Sequence, residues 1–168
     1  MAVAVRKAVL AAVLVGFVAA CGGGKTLKLP RRSEIEGLYG SSADVNLNGN
    51  VVTVKVRQSS AQLRRGGILW AKVGPYIYLF SPQTQKLFGA FDGVAAVRVT
   101  TVDSSGRLVA RATLLRDELT SVTWQDALRR VTNARTEGTE KPGYLDQLVQ
   151  YGEDHTTFHY DPRYVKPS

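Results

Sequence analysis

Cysteine is all but missing from this chain: there is one, Cys21, in 168 residues. A single thiol cannot close an intrachain disulfide or supply a cysteine-rich zinc site, so packing alone must hold the fold together. Histidine is nearly as scarce, with only His155 and His159. There is no G-x-S-x-G elbow, and the run Gly40-Ser41-Ser42 lacks its spacing, so no catalytic serine is nominated. Gly22-Gly23-Gly24-Lys25 sets a lysine beside glycines but lacks the strand, spacing and following Ser/Thr helix of a phosphate loop. The acidic pairs Asp117-Glu118 and Glu153-Asp154 are neighbours in sequence, which says nothing of the separation across a cleft that glycoside cleavage needs. No internal repeat divides the chain, and its length excludes a large multidomain enzyme.

What the chain does have is a distinctive beginning. Arg6 and Lys7 are followed by residues 8–20 without a charge. As a helix these would span about 20 Å against roughly 30 Å of hydrocarbon, so residues 1–20 are read as an export signal rather than a permanent span. The apolar run ends in Val18-Ala19-Ala20-Cys21-Gly22. This sequence resembles the lipobox of bacterial lipoproteins, a resemblance that covers only the leader and Cys21. It implies that the small residues Val18, Ala19 and Ala20 fit the cleft of the lipoprotein signal peptidase. It further implies that the Cys21 sulfur carries a diacylglycerol, and that cleavage before Cys21 frees an amine which is often acylated, as with palmitate. The implied location is the cell envelope, facing the periplasm or the exterior. Gly22 rather than Asp after the cysteine implies the outer membrane where the host has two. Two or three acyl chains anchor lastingly, whereas one is reversible.

Residues 21–35 combine the lipidated Cys with three glycines, Pro30, and the cations Lys25, Lys28, Arg31 and Arg32. They are read as a flexible basic tether, with 14 residues from Gly22 spanning about 20 Å as a coil. A single domain is expected over residues 36–168. The net charge of +8 is concentrated in leader and tether: residues 33–168 carry 16 basic against 14 acidic groups. An excess that small is a poor footprint for duplex binding, so nucleic acid is not expected as a partner. Residues 37–91 nonetheless hold Lys55, Arg57, Arg64, Arg65, Lys72 and Lys86 against Asp44 alone. That half is either an ordinary solvated face or a surface for anionic headgroups or envelope polymers.

Alternation of Val52, Val54 and Val56 with Thr53, Lys55 and Arg57 predicts a half-buried strand, and Asn48-Gly49-Asn50 predicts a hairpin to residues 43–47. Residues 68–73 and 76–80, rich in β-branched and aromatic side chains and split by Gly74-Pro75, are read as two strands joined by a turn. Asp103-Ser104-Ser105-Gly106 between residues 94–102 and 107–115 is the clearest hairpin. Ala110 and Ala112 leave room for a close helix, expected to be the one over residues 124–135. Trp124, Ala127, Leu128, Val131 and Ala134 line one face of a helix over residues 124–135, with Thr123 and Asp126 resembling a shortened capping box. A second helix is expected over residues 143–151, stopped by Gly152, and a last strand over 156–160. The fold class is therefore α+β: a mostly antiparallel sheet of five or six strands with two helices packed on one face.

Three functional readings follow. The favoured one is a non-enzymatic binding or interaction domain held near the bilayer, with an envelope protein or polymer as partner and no cofactor. The second is an envelope hydrolase or metal-dependent enzyme using Glu153, Asp154, His155 and His159. On a helix the two histidines would share a face and could chelate a metal, but on a strand they stand roughly 13 Å apart, and Thr156-Thr157-Phe158 favours the strand. The third is a small-ligand carrier with an aromatic groove from Trp70, Tyr76, Tyr78, Phe80, Phe88 and Phe91, residues that otherwise serve as core.

Overall fold

The valine alternation of residues 51–57 makes β2 (Val51–Arg57), paired antiparallel with β1 (Ala43–Asn48). The connecting turn places Gly49 at φ 61°, a conformation glycine adopts without strain. The second hairpin joins β3 (Ala96–Val102) to β4 (Leu108–Leu115) through the expected turn, and β2 and β3 run parallel at the centre. With β5 (Thr157–Tyr160) antiparallel on β4, the five strands lie in chain order. This is a computed structural model that describes residues 26–166. Val18, Ala19, Ala20 and Cys21 lie outside the described residues.

The α+β class and the mostly antiparallel five-stranded sheet are as the sequence implies. The helical layer is larger than two helices. Beyond α4 (Ser121–Glu137) and α5 (Pro142–His155), both longer than their apolar patterns suggest, there are α1 (Arg32–Tyr39), α2 (Ser60–Leu79), α3 (Pro82–Ala90) and the short α6 (Pro162–Val165).

The main correction concerns α2, which occupies the residues read as two strands. Ala71, Val73, Tyr76, Leu79 and Phe80 are all buried, and the helix lies over β3 and β4. The sheet surface formed by Val52, Val54, Val97, Val99, Ala112 and Leu114 needs an apolar cover, and burying it outweighs the strand propensity of Trp, Tyr and Ile. Gly74 and Pro75 do not break the helix. Gly74 instead allows a close approach, because a β carbon there would stand 2.5 Å from the Gln58 amide and 3.1 Å from the Thr101 methyl. The backbone does bend at Gly67, φ 51°. The close helix that Ala110 and Ala112 admit is thus α2.

Gly152 is likewise no stop. It lies within α5, where a β carbon would stand 2.4 Å from the Tyr76 ring, so the glycine sets the closeness of the α2–α5 crossing. The N-cap of α4 is Thr120, whose hydroxyl accepts from the Thr123 amide, and Asp126 pairs with Arg129 and Arg130. Residues before 36 also pack against the domain. Ile35 is fully buried, Pro30 is buried, and the Lys28 amide donates to Asp92 at 2.7 Å while its carbonyl accepts from Gly93 at 2.9 Å.

Candidate functional site

Strand alternation gives the sheet two unlike faces. The face opposite the helices carries Asn46, Thr53, Arg98, Thr113 and Thr157 in one cross-strand row, and Asp44, Lys55, Thr100, Arg111 and His159 in the next. Lys55, Arg98, Arg111 and His159 are all exposed. Threonines separate the cations: Lys55 and Arg111 flank Thr100, and Arg98 stands between Thr53 and Thr113. This spacing avoids setting Lys or Arg side chains directly opposite one another, an arrangement that would destabilise the sheet.

The cations of this face are not neutralised from within. None of Lys55, Arg98 and Arg111 is ion paired among the described residues. Arg98 Nε donates to Thr113 Oγ1 at 3.2 Å, which orients the guanidinium without balancing its charge. Asp44, the one acid in these rows, lies 3.6 Å from Arg32. Arg98, Arg111, Thr113, Thr157, Phe158 and His159 line a shallow depression of about 310 Å³. Two guanidinia, an imidazole and two hydroxyls are rich in donors and poor in acceptors. Such a surface suits an anion, above all one with phosphate or carboxylate oxygens.

Sequence reasoning locates half of this surface. Lys55 and Arg57 belong to the basic half; Arg98 and Arg111 do not, because only the parallel β2–β3 pairing brings the two hairpins together. The signal available is the outward position of Arg98 and Arg111 in the alternation of the second hairpin.

The other candidate residues are dispersed. His155 ends α5, where Nδ1 lies 3.2 Å from Glu118 Oε1 and the ring packs 4.5 Å from that of Tyr151; His159 sits on β5. Glu153 faces Lys72 at 3.6 Å. Asp154 shares with His155 and Glu118 a depression of about 210 Å³. The nearby Thr156 hydroxyl is already committed to the Gly152 carbonyl at 2.7 Å. Among the described residues no three His, Cys, Asp or Glu side chains gather as metal donors.

The aromatic cluster is divided too. Tyr76, Phe80, Phe88 and Phe91 are buried in the core, and only Trp70 and Tyr78 border a cleft, of about 190 Å³. That is below the roughly 300 Å³ at which ligand pockets usually begin. Tyr76 Oη lies 2.5 Å from Tyr160 Oη. Burial pushes the Tyr76 phenol up to about 12 and raises that of Tyr160 as well, and the two hydroxyls are committed to each other.

One end of the sheet differs from the rest. Leu27, Asn50, Leu115 and the segment from Asp92 to Ala95 border a depression of about 470 Å³, and Leu27 and Leu115 are 60% and 58% exposed. Thr26, the first described residue, adjoins Leu27 at this end. No helix among the described residues is long and apolar enough to cross a membrane. Compared with protein families, with curated proteins and with solved structures, the chain matches none.

Proposed function

We propose that this chain is a lipoprotein of a bacterial cell envelope, held to its membrane by lipid on Cys21, whose domain is a non-enzymatic binding module for an anionic partner. It faces the periplasm or the exterior, at the outer membrane where the host has two. The observation that carries the binding role is the open sheet face, where Lys55, Arg98 and Arg111 stand exposed on three adjacent strands without an ion pair among the described residues. A functional surface is the economical account of such a cluster, because a protein gains nothing in stability from gathering like charges. The lipobox Val18-Ala19-Ala20-Cys21 supplies the anchor.

Fractionation of cells tests the anchor in place. Wild-type protein should sediment with membranes and stay there through washes with high salt and with alkaline carbonate, which strip peripheral proteins. Protein found mainly in the soluble fraction after those washes would contradict the assignment.

A further inference from the structure

We infer that the occupant of the open sheet face is the membrane surface itself: Lys55, Arg98 and Arg111 engage phosphate groups of anionic lipids in the leaflet that holds Cys21, so the domain lies on its sheet. This deepens the proposed function and rests on its lipid anchor.

Reach makes the arrangement possible. From Cys21 to Thr26, the first described residue, there are five peptide steps, at most about 18 Å. Leu27 follows at the end of the sheet that also holds Asn50 and Leu115. Along the strands, Arg98 stands two residues from Ala96, about 7 Å, and Lys55 and Arg111 stand four residues from Val51 and Leu115, about 13 Å. All three cations therefore lie within the span the linking segment allows.

Charge selects the face over the end. Asp117 and Glu118 are exposed at the end of the sheet, where Lys28 and Arg116 do no more than balance them, so this end offers no cationic excess among the described residues. Arg116 is in any case turned to the carbonyls of Val94, Phe88 and Phe91. The open face presents Lys55, Arg98, Arg111 and His159; among the described residues Asp44 is the acid in these rows, 3.6 Å from Arg32, and Asp161 lies near His159. Laying the domain on this face brings Leu115, exposed at its near margin, to the headgroup boundary as well.

The test uses the full, acylated protein with a spin label on Thr100→Cys, at the centre of the face, and a control label on Gln125→Cys, exposed on α4. Each is reconstituted into phosphatidylcholine vesicles with and without about one third phosphatidylglycerol, and collision with a water-soluble relaxation agent is measured. The Thr100 label should be shielded only in the anionic vesicles, and exposed again at about 0.5 M salt, where screening shortens to a few ångströms. The Gln125 label should stay accessible throughout. Neutralising Lys55→Gln, Arg98→Gln and Arg111→Gln together should remove the shielding, with the docked population falling about a hundredfold at about fivefold per cation.

Equal accessibility of the Thr100 label in both vesicle types would overturn the inference. So would shielding that survives salt, a result independent of whether the triple variant folds. Shielding produced by soluble polyphosphate on neutral vesicles, and not by phosphatidylglycerol, would assign the face to a polymer and overturn the membrane. Intact mass on the same sample reports the acyl group separately. If it is absent, the anchor falls, while the response of the label to anionic vesicles still decides the face.

Discussion

Asp103 shows how much a single side chain can organise. It is 6% exposed and closes the β3–β4 hairpin by accepting from the Ser105 amide and hydroxyl, the Arg107 amide and Nε, and the Tyr164 hydroxyl at 2.7 Å. These bonds, led by Ser105 and then Tyr164, favour the anion and hold the carboxyl well below the usual carboxylate range. In the unfolded chain it titrates near pH 4, so the stability it contributes is complete above that pH and is lost as pH falls toward the folded value. Asp103→Asn should therefore lower the melting temperature most at about pH 7, with the gap to wild type shrinking below about pH 4. A gap constant with pH in thermal melts would refute this role. Arg116 is a second such residue, donating to the carbonyls of Val94 at 2.6 Å, Phe88 at 2.5 Å and Phe91, the last turn and exit of α3. Arg116→Ala should cost about 2–3 kcal/mol in chemical denaturation, and Arg116→Lys should recover little, since an ammonium cannot reproduce the planar fork.

Among the elements, those whose apolar spacing is self-sufficient are legible in the sequence. The alternation of residues 51–57, the Asp-Ser-Ser-Gly turn and the Trp124, Ala127, Val131, Ala134 stripe each encode their own geometry. Helix α2 does not, because Ile68, Trp70, Tyr76 and Tyr78 favour strands locally and become helical only where the sheet needs a cover. Gly74 and Gly152 mislead for one shared reason: each looks like punctuation, and each is a contact point at which a second element approaches too closely for a β carbon. At the α2–α5 crossing Gly152→Ala should destabilise by about 1–3 kcal/mol through overpacking against Tyr76, read as a lower denaturant midpoint. An unchanged midpoint would show that the helices separate freely there. The candidate site is half legible: the outward cations of each hairpin can be read from alternation, but their union into one face depends on the parallel β2–β3 pairing, which has no local signature.

Across the whole molecule, helices and charge are segregated to opposite sides of one sheet. The helical side is held by a continuous core from Ile35 through Tyr151, while the open side carries its cations in cross-strand rows that no helix among the described residues covers. Because Lys55, Arg98 and Arg111 are exposed and unpaired among the described residues, replacing all three by Gln should leave the melting temperature within about 2 °C of wild type or slightly raise it, the usual range for surface substitutions. A large fall would mean that these residues support the fold and were misassigned as a surface for something else. The membrane anchor is the premise on which the orientation of this two-sided molecule depends. The mass of the N-terminal peptide, taken from protein purified out of membranes, tests it most directly. The expected peptide begins at Cys21, lacks residues 1–20 and carries the added mass of a diacylglycerol, with or without a further acyl group on its amine. A peptide that begins at Met1, or one with a free Cys21 thiol, would contradict the account.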